Sequence, residues 1–173
     1  PNRIIMDIAI SDANSDEVYV CVSGFGTDHV YKSSDGGQNW APSAQGLPDV
    51  PHNTLLIDEL NPNIVYVGND FGIYASTDAG ASWTAFDNGL TDATLIMSMT
   101  DNIISRKLRI GTHGKGMYER PMIDPSTVGL EQANGRETLE VFPNPARDYV
   151  TIRWTEHRPD YLEIVDLKGK VMR

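Results

Sequence analysis

The sequence predicts an all-β chain: about two and a half four-stranded propeller blades, followed by the start of a small β-sandwich. Two observations carry the first part. Ser33-Ser34-Asp35-Gly36-Gly37-Gln38-Asn39-Trp40 returns as Ser76-Thr77-Asp78-Ala79-Gly80-Ala81-Ser82-Trp83, 43 residues later, and a four-stranded blade takes about 40–45 residues. Around the copies, apolar residues come in short runs separated by Gly, Asn, Asp and Pro, with no helical periodicity in residues 1–120. The second part rests on a new alternating segment that begins near Leu139.

Taken in order, the chain opens on a strand over residues 3–10, with no signal peptide before it. Ile8-Ala9-Ile10 and Val18-Tyr19-Val20 recur as Leu55-Leu56-Ile57 and Val65-Tyr66-Val67 at a spacing of 47, whereas Val30-Tyr31-Lys32-Ser33 recurs as Ile73-Tyr74-Ala75-Ser76 at 43. One loop therefore changes length by four residues between copies. A third copy runs through Leu95–Met99, Leu108–Gly111 and Met117–Arg120 and has no octapeptide. A ring of this size cannot close, and its open edges would invite aggregation. The expectation is that further blades lie N-terminal to Pro1 and that the ring ends after Tyr118, where a strand from the other end of the chain completes the last blade.

The octapeptide has a structural explanation. Ser33, Asp35, Ser76 and Asp78 can accept bonds from turn amides, Gly37 and Gly80 can take positive φ, and Trp40 and Trp83 can each bury a ring between sheets. A carboxylate occupied by its own turn is poorly placed for catalysis. The pattern S-x-D-x-G-x-x-W resembles the Asp-box, or BNR repeat, of sialidases, sortilin-type ectodomains and the propellers of xyloglucan-degrading glycoside hydrolases. The resemblance covers residues 1–120. It implies a hairpin between the third and fourth strands of a blade, away from the ligand-binding face, and it supplies no single activity.

Residues 121–138 hold turn formers and little apolar periodicity, and read as a linker. Strand-like runs follow over 139–173. This segment resembles the type IX secretion C-terminal sorting domain of Bacteroidetes, an Ig-like β-sandwich, through Phe142-Pro143-Asn144-Pro145-Ala146 and Asp166-Leu167-Lys168-Gly169-Lys170-Val171. The resemblance implies export through periplasm and outer membrane, release or attachment at the cell surface, and contact with the translocon, shuttle and sortase of that system. The family continues for several more strands, so the sorting domain is expected to be truncated at Arg173.

The net charge is −10, and residues 1–120 hold 15 of the 24 acidic but 7 of the 14 basic side chains, which disfavours a nucleic-acid partner. No apolar run is long enough for a transmembrane segment. The single Cys21 excludes an intrachain disulfide and sits in an apolar strand, where a buried thiol is expected. The loops joining second to third strands carry Asp28 and His29, Asn69 and Asp70, and Thr112 and His113. Asp28, Asp70 and His113 are the weak catalytic candidates, since carboxylates or a carboxylate and a His converging there would suit glycoside hydrolysis. Lys115 in Gly114-Lys115-Gly116 is followed by no Ser or Thr, so this is a hairpin and not a phosphate loop. The four His residues have no zinc spacing, and no cofactor pattern is present. Two functions fit: a surface propeller that binds a glycan or protein, or a secreted glycoside hydrolase whose carboxylates lie partly in other blades.

Overall fold

The computed structural model describes residues 3–91, 93–125, 140–142, 151–153, 164–165 and 171–172. The chain divides into two compact units, Pro1–Gly129 and Leu130–Arg173. No α-helix occurs among the described residues.

The first unit contains three antiparallel sheets built from consecutive strands. The first sheet joins β1 (Ile5–Ile10), β2 (Val18–Val22), β3 (Val30–Ser33) and β4 (Ala41–Pro42). The second repeats it with β5 (His52–Ile57), β6 (Val65–Asn69), β7 (Ile73–Ser76) and β8 (Thr84–Ala85). The third has β9 (Ile96–Asn102), β10 (Lys107–Thr112) and β11 (Met117–Pro121), in the order β11-β10-β9. In such meanders successive turns alternate between two ends. The octapeptides fall in the β3–β4 and β7–β8 turns at one end; the β2–β3, β6–β7 and β10–β11 turns fall at the other.

The sheets pack face to face. Tyr19, Cys21 and Val30 of the first sheet meet Leu55, Val65, Val67 and Trp83 of the second. The opposite face of the second sheet, with Tyr66, Ile73 and Ala75, meets Ile96, Leu108 and Ile110 of the third. Strand β6 is consequently buried along its whole length, which is why it reads as β-rich without polar alternation. Each buried aliphatic side chain here contributes about 1.5–3 kcal/mol. Strands β1, β5 and β9 lie side by side, and Asp7 joins the first two by accepting from Leu55 N at 2.9 Å and Thr54 Oγ1 at 3.0 Å.

Two expectations need correction. Trp83 inserts between sheets and is 3% exposed, but Trp40 is 41% exposed, because no described element covers its face of the first sheet. The start of the expected linker is also packed. Strand β11 runs through Pro121, Met122 is buried in the core, and Ile123 N donates to the Tyr66 hydroxyl at 2.8 Å. In the second unit, β12 (Glu140–Phe142) pairs with β13 (Thr151–Arg153), and β14 (Ile164–Val165) with β15 (Val171–Met172), all antiparallel.

Candidate functional site

The end of the sheets opposite the octapeptides is held together by side chains from different sheets. His29, in the β2–β3 turn, stacks on His52 at the start of β5 with ring centroids 4.9 Å apart and planes within 14°. His29 Nε2 donates to Asp49 Oδ1 at 2.8 Å, and the same carboxylate oxygen accepts from Gly26 N at 2.7 Å. His52 Nδ1 donates to the Val50 carbonyl at 2.7 Å, which fixes the tautomer and leaves Nε2 to accept from Asn69 Nδ2 at 3.3 Å. Asn69 Oδ1 meanwhile accepts from Phe71 N and Gly72 N, both at 2.9 Å, and so shapes the β6–β7 turn. Asn53 bridges onward, donating to Asp70 Oδ1 and to the Ile96 carbonyl of β9, both at 3.0 Å. In the third sheet His113 N donates to the Leu95 carbonyl at 3.0 Å, and Lys115 Nζ to Thr91 Oγ1 at 2.9 Å.

Asp28 and His113 are exposed and Asp70 half-buried, one in each of these three turns. Sequence reasoning passed over two residues that stand beside them. Phe25 and Phe71 are 61% and 54% exposed. Each precedes a glycine, as His113 does, so Phe25-Gly26, Phe71-Gly72 and His113-Gly114 place one exposed ring in every turn. Positive φ at Gly26 (71°) and Gly114 (84°) reverses the chain directly after the ring. The recurrence of a ring-Gly pair at spacings of 46 and 42 was the available signal.

Electrostatics separates binding chemistry from acid-base chemistry here. Burial, against a weaker opposing bond to the Val50 carbonyl, lowers the His52 pKa to about 4, so the ring is neutral. Hydrogen bonds from His29 and Gly26 hold Asp49 below the usual carboxylate range. At the far end, Asn39 and Ser33 lower Asp35 to about 2. Burial opposes the charge of Asp78, yet bonds from Ser82 and Ser76 outweigh it and keep this carboxyl low as well. Ser33 Oγ and Ser76 Oγ each accept from a glycine amide, Gly37 N at 2.9 Å and Gly80 N at 2.8 Å. Both Asp side chains are thus consumed by their turns. Burial raises the Cys21 thiol to about 12. Among the described residues no group of three or more His, Cys, Asp or Glu could hold a metal ion.

Of the predicted sorting residues, Phe142 ends β12. Pro143, Asn144, Pro145, Asp166, Gly169 and Lys170 lie outside the described residues.

Residues 140–173 match the family of secretion system C-terminal sorting domains. This type IX sorting tail implies export to the cell surface or beyond, and interaction with the type IX machinery. No curated protein sequence matches the chain. Among solved structures, the chain is similar to a GH74 enzyme of Niastella koreensis, with 20% identity and a TM-score of 0.55 over 68% of this chain and 21% of that one. The GH74 xyloglucanase of Xanthomonas campestris gives 16% identity and a TM-score of 0.54 over 65% of this chain and 20% of that one. YCF48 bound to D1 peptide gives 17% and 0.50 over 69% and 38%. All three are β-propellers, and the likeness is one of fold. The chain spans about a fifth of the length of each of the two GH74 proteins.

Proposed function

We propose that residues 3–123 are consecutive blades of an Asp-box β-propeller, exported by its sorting tail, that binds an extracellular glycan at the end formed by the β2–β3, β6–β7 and β10–β11 turns. One observation carries this reading: Phe25, Phe71 and His113 stand exposed in equivalent turns, with Asp28 and Asp70 beside them, on a scaffold knitted by the His29–His52 stack and by Asn53. A planar ring covers the C–H face of a sugar, and neighbouring carboxylates accept from its hydroxyls. Isolated exposed apolar residues are ordinary, but an exposed ring in each repeated turn, Phe in two and His in the third, is a patterned surface.

A general acid needs a carboxyl whose pKa is raised towards the working pH, so Asp35, Asp49, Asp78 and Glu119, all held low by their hydrogen-bond partners, are unsuited to that role. The test is equilibrium binding of the 173-residue protein to plant and bacterial polysaccharides, compared with the Phe25→Ala/Phe71→Ala variant. Aromatic anchors at a binding surface contribute about 2 kcal/mol each or more, so the double variant should bind roughly 700-fold more weakly with unchanged thermal stability. Equal affinity of parent and variant, or no polysaccharide bound by the parent, would end the glycan reading.

A further inference from the structure

The three ring-bearing turns are held in three different ways. The β2–β3 turn, with Phe25, hangs from a carboxylate: Asp49 Oδ1 accepts from Gly26 N at 2.7 Å, and Arg3 donates to the Phe25 carbonyl at 2.7 Å. The β10–β11 turn, with His113, closes on itself through Thr112, whose backbone N and Oγ1 donate to the Gly116 carbonyl at 3.0 and 2.6 Å. The β6–β7 turn, with Phe71, hangs from a neutral amide. Asn69 Oδ1 accepts from Phe71 N and Gly72 N, both at 2.9 Å, and the other end of the amide, Nδ2, donates to His52 Nε2 at 3.3 Å. Asn69 and His52 are both fully buried, so neither can exchange a lost partner for bulk water, and an unmade bond there is costly.

This clasp works with only one protonation state of His52. Nδ1 already donates to the Val50 carbonyl at 2.7 Å, so a second proton has only Nε2 to occupy. There it would face Asn69 Nδ2, donor against donor. The amide can serve an imidazolium only by turning over, with Oδ1 towards His52 and Nδ2 towards the turn, and Phe71 N and Gly72 N then face a donor in their place. The turn would keep its backbone bond from Asn69 N to the Gly72 carbonyl, 2.9 Å, and lose both bonds from the side chain. Among the described residues no carboxylate bonds to His52. His29 stacks on the ring, but Asp49 is bonded to His29. Asp70 is bonded to Asn53, Asp7 is taken by Thr54 and Leu55, and Arg3 adds positive charge near Asp49.

We propose that His52 is a positioning residue for the exposed ring of Phe71: when neutral it fixes the Asn69 amide that pins the turn, and on taking a proton at Nε2 it turns that amide over and frees the turn. Burial keeps the ring neutral until the pH nears 4, so the clasp is shut at neutral pH and opens as the pH falls through that value. Phe25 is spared, because its turn depends on Asp49, a carboxyl held below the usual range by His29 and Gly26. A ligand gripped by Phe71 leaves as the proton arrives. That consequence rests on the glycan reading above; the amide switch does not.

The test is an NMR titration of the isotopically labelled 173-residue protein from pH 7 to about pH 3.5, with the His52 ring carbons reporting its protonation. The Phe71 and Gly72 amide protons should shift upfield along the His52 curve, while the Gly26 amide follows the lower titration of Asp49. In His52→Asn the Phe71 and Gly72 shifts should largely disappear. In Asn69→Asp one carboxylate oxygen can accept from His52 Nε2 and the other from both amides, so His52 should already be charged at pH 7 with the turn still pinned. Phe71 and Gly72 amides that hold still while His52 titrates in the parent, or that move equally in His52→Asn, would overturn the proposal. Should acid unfold the parent before His52 titrates, Asn69→Asp decides: a charged His52 at pH 7 supports the switch and a neutral one refutes it. Polysaccharide binding at the two ends of the titration separates the two readings. Affinity several-fold weaker in acid for the parent but not for His52→Asn supports both, whereas no binding at either pH ends the glycan reading and leaves the amide shifts to decide the switch.

Discussion

His52 shows how one side chain can set the pH range in which two sheets stay joined. Its folded pKa of about 4 lies below the unperturbed 6.5 because burial penalises the imidazolium. The unfolded chain therefore binds the proton first, so stability is complete above about pH 6.5 and falls as pH drops towards 4, by about 3 kcal/mol. Carboxylates held low, Asp35, Asp49 and Asp78, add a separate loss that begins near pH 4 and continues below it. Urea unfolding at pH 7 and 4.5 should show the first loss in the parent and little of it in His52→Asn, even though that variant starts less stable. A variant with the parental pH slope would remove His52 from the account. The two tryptophans make a second test at this scale. Trp83→Ala opens the core between sheets and should cost about 3–5 kcal/mol, whereas Trp40→Ala, which removes a half-exposed ring, should cost about 1 kcal/mol in the 173-residue chain. Chemical denaturation midpoints that fell equally would contradict the difference in burial.

At the scale of the strand, the second sheet carries Gly68 where the first has Cys21. A Cβ on Gly68 would lie 2.6 Å from Ile96 Cγ2 and 2.8 Å from Thr54 Cγ2, so β9 occupies the space that a side chain would need. Gly68→Ala should cost about 1–3 kcal/mol through overpacking, and Gly68→Ala with Ile96→Ala, which removes the Cγ2 methyl, should cost less than the sum of the two single changes; additive losses in thermal unfolding would argue against the contact. The strands and turns were legible because the repeat aligns apolar runs with turn residues, and Ser33, Asp35 and Gly37 specify their turn locally. Other features were not, for physical reasons. The exposure of Trp40 depends on what lies across its sheet face and not on its own neighbours in the chain. Phe25 and Phe71 are single apolar residues in loops, where hydrophobicity does not distinguish them from core and only the recurring ring-Gly pair marks them. The Asp49–His29–His52 arrangement joins residues 20 and 23 positions apart in the chain, and only the packing of two sheets brings their side chains together. Residues 121–123 look like linker because Met122 and Ile123 stand among prolines, yet Arg106 O and the Tyr66 hydroxyl capture their amides.

For the whole molecule, two compact units divide the work: a stack of sheets, and a tail whose family match concerns export. The sheet region is acidic, with 15 acidic against 7 basic side chains in residues 1–120, a charge that repels polyanions. Residues from about Leu139 onward are proposed to direct export and to be dispensable for whatever the sheets bind. The most direct measurement is the fraction of protein at the cell surface and in the medium when residues 139–173 are deleted from the protein in its own host. The account predicts that export stops, with the protein retained inside the outer membrane, while the retained protein keeps its fold and its ligand. Surface or extracellular protein at the parental level after the deletion would contradict it.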